Sequence, residues 1–297
     1  MKQIKRWLVV STLIIGLLLG ASNGVHAADE GINELLGEPA VVYGEQLSDS
    51  QKEEVKRLLE VDSDNVNEFT VTGQDIQHYI DGNPNSNMYS SVKITHKDDG
   101  HGIVVNIVTP DNITQVTNEM YSNALLTAGV ENALVEVASP VQVTGHSALT
   151  GIYKAYDASG AELDQGRMEV ANDELSLTTK IAEKDGISKE EVTELMTEIK
   201  KDIADKNPAT REDVEEFVKE QLNKLNIELS EEDRQLLIDL FEKMRDLNID
   251  FDKVRDQLED LTSTIKDKLG DLNLDIDEGF WEKVVNWFKN LFNSIFK

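Results

Sequence analysis

TNEMYSNALLTAGVENALVEVASPVQVTGHSALTGIYKAY, residues 117–156, predicts a helix, a strand and a second helix in succession. Thr117 is a residue type that caps helix N-termini, and Gly129 suits the left-handed position that follows a helix. Residues 133–138 alternate apolar side chains as a strand does, and Ser147 is placed to cap the second helix. Because short helices on either side of an apolar strand need a sheet to cover, this stretch predicts a layered α/β domain.

Four strands and two helices are predicted before this stretch, from short apolar runs and capping patterns. The loop 96–102, which is rich in Asp and Gly, indicates a hairpin between the third and fourth of these strands. Together with residues 133–138, the apolar runs make a mixed sheet of about five strands. The predicted strands cover residues 40–43, 68–72, 89–96 and 103–109. Of the two predicted helices, the first begins after Ser48 and the second covers 74–80.

The composition changes after residue 160, where Asp and Glu become more frequent and β-branched alternation ends. Residues 161–173 are interpreted as a polar link. The predicted fold class is α+β: a mixed α/β sheet domain at 28–160, then an all-helical domain at 161–278. Its first helices are predicted at 175–183, 189–204 and 211–225, the last two capped by Ser188 and Thr210.

A short motif repeats three times in the second half of the chain. Each copy ends on a capping residue and precedes a helix with apolar periodicity, which predicts three helix units joined by similar extended connectors. The central apolar residue of each connector is expected to pack into the bundle. The copies are LNIELS at 225–230, LNIDFD at 247–252 and LNLDID at 272–277, with central residues Ile227, Ile249 and Leu274 and caps Ser230, Asp252 and Asp277.

Several stretches of the chain resemble one bacterial family. They read TNEMYSNALLTAGVENALV, PVQVTG, ALTGIYKAY and LSEEDRQLLIDLFEKM. In these four segments the chain is similar to the YpuA-like secreted proteins of Gram-positive bacteria, a family filed as domain of unknown function 1002. The resemblance implies an exported protein with an α/β front half and a helical back half, and it implies no catalytic role for any residue.

The first 27 residues have the pattern of a signal peptide. Lys2, Lys5 and Arg6 form a basic region, residues 8–19 are apolar, and residues 25–27 read Val-His-Ala, a small-residue cleavage site. We therefore expect export and a mature chain that starts at Ala28. An uncleaved membrane anchor is the alternative, although the apolar run is short for a spanning helix.

The chain is strongly acidic, with a formal net charge of −28, and it contains no cysteine. This charge repels nucleic acid at long range, so no nucleic-acid partner is expected. It attracts divalent cations or cationic partners, or it serves as a solubilising surface. The lack of cysteine excludes a disulfide framework and a thiol mechanism.

One stretch has oxygen-bearing residues at the spacing of an EF-hand calcium loop. The glycine that such a loop needs at its sixth position is replaced by Ile276. The alternation is equally explained by the third connector and its cap, so no metal site is assigned and calcium remains the only candidate cofactor. The five residues at positions one, three, five, seven and twelve are Asp271, Asn273, Asp275, Asp277 and Glu282.

Two other patterns resemble chemical sites. His96, Asp98, Asp99 and His101 are suitable zinc ligands at the tip of the predicted hairpin, although polar loop tips are common. Residues 145–149, GHSAL, resemble a nucleophile elbow but lack its final glycine. No catalytic residue is assigned.

The last stretch, GFWEKVVNWFKNLFNSIFK at 279–297, predicts an amphipathic helix. Its lysines stand out in an acidic chain, and aromatic residues opposite lysines are typical of a helix at a membrane interface. The alternative is a terminal helix that seals the core of the bundle. The expected membrane or partner contact residues are Phe280, Trp281, Val284, Val285, Phe288, Leu291, Phe292, Ile295 and Phe296.

These features predict an exported, non-enzymatic cell-envelope protein that binds a membrane surface or an envelope protein. One alternative is a hydrolase or modifier of a cell-wall polymer that uses two carboxylates, one with a raised pKa. Another is a regulator that occupies the cleft of a wall enzyme.

Overall fold

The computed structural model describes residues 38–61, 65–161, 163–184, 186–247 and 249–271. A sheet of five strands in the order β2-β1-β3-β5-β4 confirms the predicted mixed sheet. β3 is antiparallel to both neighbours, while β1 with β2 and β4 with β5 form parallel pairs. The strands are β1 (Ala40–Gly44), β2 (Asn67–Val71), β3 (Ser91–His96), β4 (Ile103–Ile107) and β5 (Ala133–Ala138).

The predicted hairpin between β3 and β4 is wrong, because β5 lies between these strands. The backbone of Asn132, just before β5, accepts the N–H of Lys97 at 3.1 Å, and its side chain accepts the N–H of Gly102 at 2.9 Å. The loop therefore opens around the start of β5. In this inner position four of the five apolar residues of β5 are buried, whereas Val104 on β4 is 46% exposed.

Four helices accompany the sheet: α1 (Asp49–Leu58), α2 (Gly73–Ile80), α3 (Asn118–Ala128) and α4 (Ser147–Ala158). Ser48 and Thr117 cap α1 and α3 as predicted, and Gly129 follows α3 with a φ of 94°. The predicted cap at Ser147 is wrong. His146 occupies the N-cap of α4 without a capping side-chain hydrogen bond, because its backbone is already helical.

Helices alone follow residue 160 in the described part of the chain, which confirms the predicted α+β fold class. Ser188, Thr210 and Ser230 cap their helices as predicted. The helices are α5 (Gln165–Ala182), α6 (Lys189–Lys206), α7 (Arg211–Lys224), α8 (Glu231–Asp246) and α9 (Arg255–Asp271), with a 3-10 turn at Phe251–Val254.

Helix α5 replaces most of the predicted polar link, so that interpretation is wrong. Asp164 caps it by accepting the N–H of Arg167 at 2.9 Å. Two narrow apolar stripes explain the helix: Met168 and Leu175 pack into the core under the sheet, and Leu177 and others pack into the helical core. Each stripe is too narrow to stand out in an acidic sequence. The division into domains at residue 160 stays a prediction.

The first two repeated connectors close their helices with the long hydrogen bond of a Schellman C-cap. Ile227 N–H donates to the Leu222 carbonyl at 2.9 Å, and Ile249 N–H donates to the Met244 carbonyl at 3.3 Å. Ile227 and Ile249 are buried, as predicted. Asp252, which was predicted as a cap, lies inside the 3-10 turn, and α9 begins three residues later.

Several predictions concern residues that the structure does not describe. These are the signal segment 1–27, the third connector 272–277, the calcium candidates other than Asp271, and the contact residues at 279–297. Asp271 is the last residue of α9. Within the described ranges, no helix has the length and apolar character needed to cross a membrane.

Candidate functional site: a groove at the β4 edge

Strand β4 forms one edge of the sheet, and half of its peptide groups face away from β5. Val108 N–H donates to the Val137 carbonyl at 2.8 Å, and Ala133 N–H donates to the Gly102 carbonyl at 3.1 Å. Because alternate residues of a strand bond to the same neighbour, the even-numbered peptide groups of β4 bond to β5. The N–H and C=O groups of the odd-numbered residues, 103, 105 and 107, therefore point to the open edge.

Side chains from two helices satisfy the outer two of these three N–H groups. Ile103 N–H donates to Gln257 Oε1 of α9 at 3.1 Å. Ile107 N–H donates to Asn118 Oδ1, at the start of α3, at 3.0 Å. In the described part of the chain no hydrogen bond reaches the outward N–H of Val105, which lies between them. One backbone donor of the edge is thus unpaired in the described structure.

A cavity of about 470 Å³ lies beside this edge, between β4, α3 and α9, and we call it the edge groove. Its walls are partly apolar, and it opens next to Val104, which is among the few large apolar side chains exposed in the described structure. The lining side chains include Val104, Val105, Ser122, Leu126, Gln257 and Leu261.

The charged groups of the edge groove are unequally compensated. Lys268 Nζ contacts Glu119 Oε1 at 2.6 Å, and the position of Glu119 in the first turn of α3 also favours its negative charge. Asp260 lines the groove, is exposed, and makes no ion pair in the described part of the chain. The groove therefore offers one uncompensated carboxylate beside an open backbone donor.

The sequence singled out other residues, and the structure does not bring them together. No group of three or more metal-binding side chains forms among the described residues, so the zinc candidate at His96, Asp98, Asp99 and His101 is wrong. His96 instead packs edge-to-face on Tyr156, with ring centroids 4.8 Å apart, and burial lowers its pKa.

The GHSAL stretch, residues 145–149, forms the N-terminal start of helix α4. Tyr121 Oη donates to the Gly145 carbonyl at 2.5 Å, and His146 contacts the hydroxyls of Thr144 and Thr179 through its two ring nitrogens. Ser147 is the first residue of α4. These contacts are typical of a structural turn.

Sequence reasoning missed a buried ion pair between α5 and α6. Lys200 Nζ lies 2.6 Å from Glu174 Oε1 and also donates to the Asn123 carbonyl at 2.8 Å. Thr127 Oγ1 donates to Glu174 Oε2 at 2.6 Å. Burial lowers the pKa of Lys200 against the opposing effect of Glu174. The sequence signal that could have indicated the burial of Lys200 is its helical spacing, since it falls four residues after Met196 on the buried side of α6.

Two carboxylates of α6 have environments that move their pKa values apart. Glu194 and Glu198 both approach Lys266 Nζ, at 3.6 and 3.7 Å. Burial raises the pKa of Glu194. Burial also acts to raise the pKa of Glu198, but hydrogen bonds from Lys224 and Lys201 outweigh it and lower the pKa.

A second cavity, of about 380 Å³, lies at the C-terminal end of α6. Arg245 lines it, and the buried Nη1 of this side chain has no hydrogen-bond partner in the described structure. The other nitrogens of the guanidinium are held by Asp246 and Glu242. Carboxylates thus already compensate its charge, so this cavity is less suited than the edge groove to a charged partner.

The fold and the groove define a mixed α+β protein with an open cavity at one edge of its sheet. Residues 43–261 match the family described as "Protein of unknown function (DUF1002)", and the chain belongs to this family, as the resemblance in its sequence predicted. It is 34% identical over 295 residues to "Uncharacterized protein YpuA" of Bacillus subtilis (strain 168), an alignment that covers 96% of this chain and 97% of that protein. No solved structure matches this one.

Proposed function

We propose that this chain is a non-enzymatic protein of the cell envelope that is exported and binds a partner in the edge groove. The observation that carries this proposal is the outward N–H of Val105, which faces a cavity of about 470 Å³. Edge strands are usually blocked or covered, and an edge left open beside exposed apolar surface favours a binding role.

The signal-like segment at residues 1–27 supports export. The relative in Bacillus subtilis fits a Gram-positive source. The formal charge of −28 suits partners that carry positive charge. Nucleic acid is not among the proposed partners, since its phosphates would be repelled.

Capture from an envelope extract tests the binding role. We expect the tagged mature protein to retain a partner that Asp260→Lys releases, because this change reverses the charge of the groove. Asp267→Lys is the matched control, since it makes the same change on an exposed position of α9 outside the groove lining. Equal capture by both variants would remove the groove from the proposal.

The terminal stretch 279–297 supports a contact with a membrane surface, through its apolar stripe and three lysines. We expect the mature protein to co-sediment with vesicles that contain anionic lipid, and Phe288→Asp with Phe292→Asp to abolish this binding. Each lysine contributes only about 1 kcal/mol near such a surface, so apolar insertion has to supply most of the affinity.

A matched control places the same two charges elsewhere on the predicted helix. Asn290 and Asn293 lie outside the apolar stripe, so Asn290→Asp with Asn293→Asp should keep most of the vesicle binding. If wild type never binds vesicles and Phe288→Asp with Phe292→Asp melts at a much lower temperature, the stretch belongs to the core.

The alternative function, hydrolysis of a wall polymer by two carboxylates, is supported by the opposed pKa shifts of Glu194 and Glu198. Three lysines surround this pair, and neither glutamate lines the two cavities described above. Incubation with purified wall decides between the functions. Release of soluble fragments that Glu194→Gln abolishes would replace the binding proposal with a hydrolase.

A further inference from the structure

We infer that the edge groove binds an extended peptide segment of another protein, one that carries basic side chains, and that this segment adds to the sheet as a sixth strand beside β4. This inference rests on the proposed binding function and specifies its partner. Strand addition is a recurring mode of peptide recognition, in which backbone hydrogen bonds supply affinity.

The backbone of β4 determines the conformation of the occupant. Its outward groups are the N–H and C=O of alternate residues, which is the pattern that a neighbouring strand pairs with. From Ile103 to Ile107 this edge is about 13 Å long at the usual rise of a strand. A segment of about five extended residues matches this length, and it pairs at Ile103 and Val105, since Asn118 holds the N–H of Ile107.

The present caps of the edge are side chains, and side chains can be displaced. Gln257 holds the N–H of Ile103, and its stem also lies against Gly102. When a strand enters, one of its carbonyls replaces Gln257 Oε1 as the acceptor of the Ile103 N–H. A second carbonyl accepts from the N–H of Val105, which has no partner in the described structure. Gln257 thus competes with the incoming strand.

The charge of the groove selects the side chains of the occupant. Glu119 is neutralised by Lys268 at 2.6 Å, whereas Asp260 is exposed and has no ion-pair partner among the described residues. The chain as a whole carries −28. A basic residue beside an apolar one therefore fits, the first against Asp260 and the second against the exposed Val104.

The test uses a fluorescent heptapeptide, Lys-Val-Thr-Val-Thr-Val-Lys, and the full chain. We expect saturable binding by fluorescence anisotropy, together with a shift of the Val105 amide in a ¹⁵N–¹H correlation spectrum. N-methylation of the amides on one edge of the peptide should be tolerated, because one edge suffices. N-methylation on both edges should weaken binding by about tenfold or more, since no edge can then pair.

Variants of the protein test the same hydrogen bonds. Val105→Pro removes the outward N–H without removing a bond to β5, and proline is tolerated on edge strands at such positions. We expect it to weaken peptide binding by about fivefold to tenfold. Gln257→Ala should strengthen binding, because the competing cap is gone. Asp260→Lys should weaken it, and Asp267→Lys should not.

Three results would overturn the inference. They are equal binding of the doubly methylated peptide, a Val105 amide that does not shift, and displacement of the peptide by a synthetic copy of residues 279–297. The last would make the chain's own terminal stretch the occupant. A fourth result, a dimer in sedimentation that Val105→Pro dissociates, would also overturn it and would assign the edge to a second copy. If Val105→Pro melts well below wild type, its weaker binding reflects unfolding, and the shift of the Val105 amide in the wild-type protein becomes the deciding measurement.

Failure of this inference is distinguishable from failure of the proposed function. If the peptide does not bind but an envelope partner is still captured and released by Asp260→Lys, the groove binds something other than a strand. If neither peptide nor envelope partner binds, both proposals fail together.

Discussion

Two lysine–glutamate pairs of equal length lie in very different surroundings. Lys200 to Glu174 and Lys268 to Glu119 both measure 2.6 Å between Nζ and Oε1. The Lys200 side chain is 0% exposed and bonds to Asn123 as well, whereas the Lys268 side chain is 44% exposed. Because the two distances are equal, we expect burial rather than distance to decide what the loss of one partner costs.

Breaking the buried pair should have the largest effect. Lys200→Met leaves the carboxylate of Glu174 without a counter-charge in a region closed to water. We expect the free energy of unfolding to fall by about 3–5 kcal/mol, measured by urea denaturation. Lys219→Met, on an exposed position of α7, should change it by about 0.5 kcal/mol or less.

Removing both charges sharpens this result. Lys200→Met combined with Glu174→Leu should recover about half or more of the loss, because no charge is then left buried alone. A double variant no more stable than Lys200→Met would show that the hydrogen bonds of Asn123 and Thr127, rather than the ion pair, hold these helices together.

Breaking the half-exposed pair should have a smaller effect. Lys268→Met should lower the free energy of unfolding by about 1 kcal/mol, less than Lys200→Met. The Lys268 side chain is 44% exposed, and although Glu119 is 9% exposed, its place in the first turn of α3 still favours its negative charge. The difference from wild type should shrink as salt is added. A loss as large as that of Lys200→Met would contradict the argument from burial.

Histidines extend the comparison to pH, with the smallest expected effect. Burial lowers the pKa of His96 and His146 below 6.5, whereas His78 and His101 are exposed. The unfolded chain therefore binds more protons below pH 6.5, so the stability present above this pH is lost as the pH falls through the folded pKa values.

Urea denaturation from pH 7.5 to 5.5 measures this slope. His146→Gln should flatten it, since glutamine does not titrate and can still reach the hydroxyls of Thr144 and Thr179. A slope that survives removal of both His96 and His146 would assign the pH dependence to other groups.

The parts of the fold that were predicted from sequence are those in which neighbouring residues decide the structure. Ser48, Thr117, Ser188 and Thr210 each cap a helix, because a short side-chain oxygen can reach a backbone N–H three residues later. The strands were found because their apolar residues alternate or run together. The connectors were found as a repeat, and the two that the structure describes each close a helix through a local hydrogen bond.

The errors and omissions arose where distant segments compete for the same groups. The hairpin prediction failed because Asn132, some thirty residues away, takes the N–H groups of the loop. Helix α5 was missed because each of its two narrow apolar stripes packs into a different core, one under the sheet and one among the helices. The sequence does not show that two cores flank this helix. The edge groove is lined by residues near 105 and by residues near 260, and no local sequence pattern predicts that these segments meet.

The sequence by itself determined where most helices and strands begin and end, the mixed sheet, the family and the acidic character of the surface. Helix capping and apolar periodicity depend on residues within one or two helical turns, so they can be predicted from the sequence. Only the tertiary structure decided the strand order, the burial of Lys200 and the open edge beside Val105. These depend on which segments displace water from one another, and that choice is made by packing across the whole molecule.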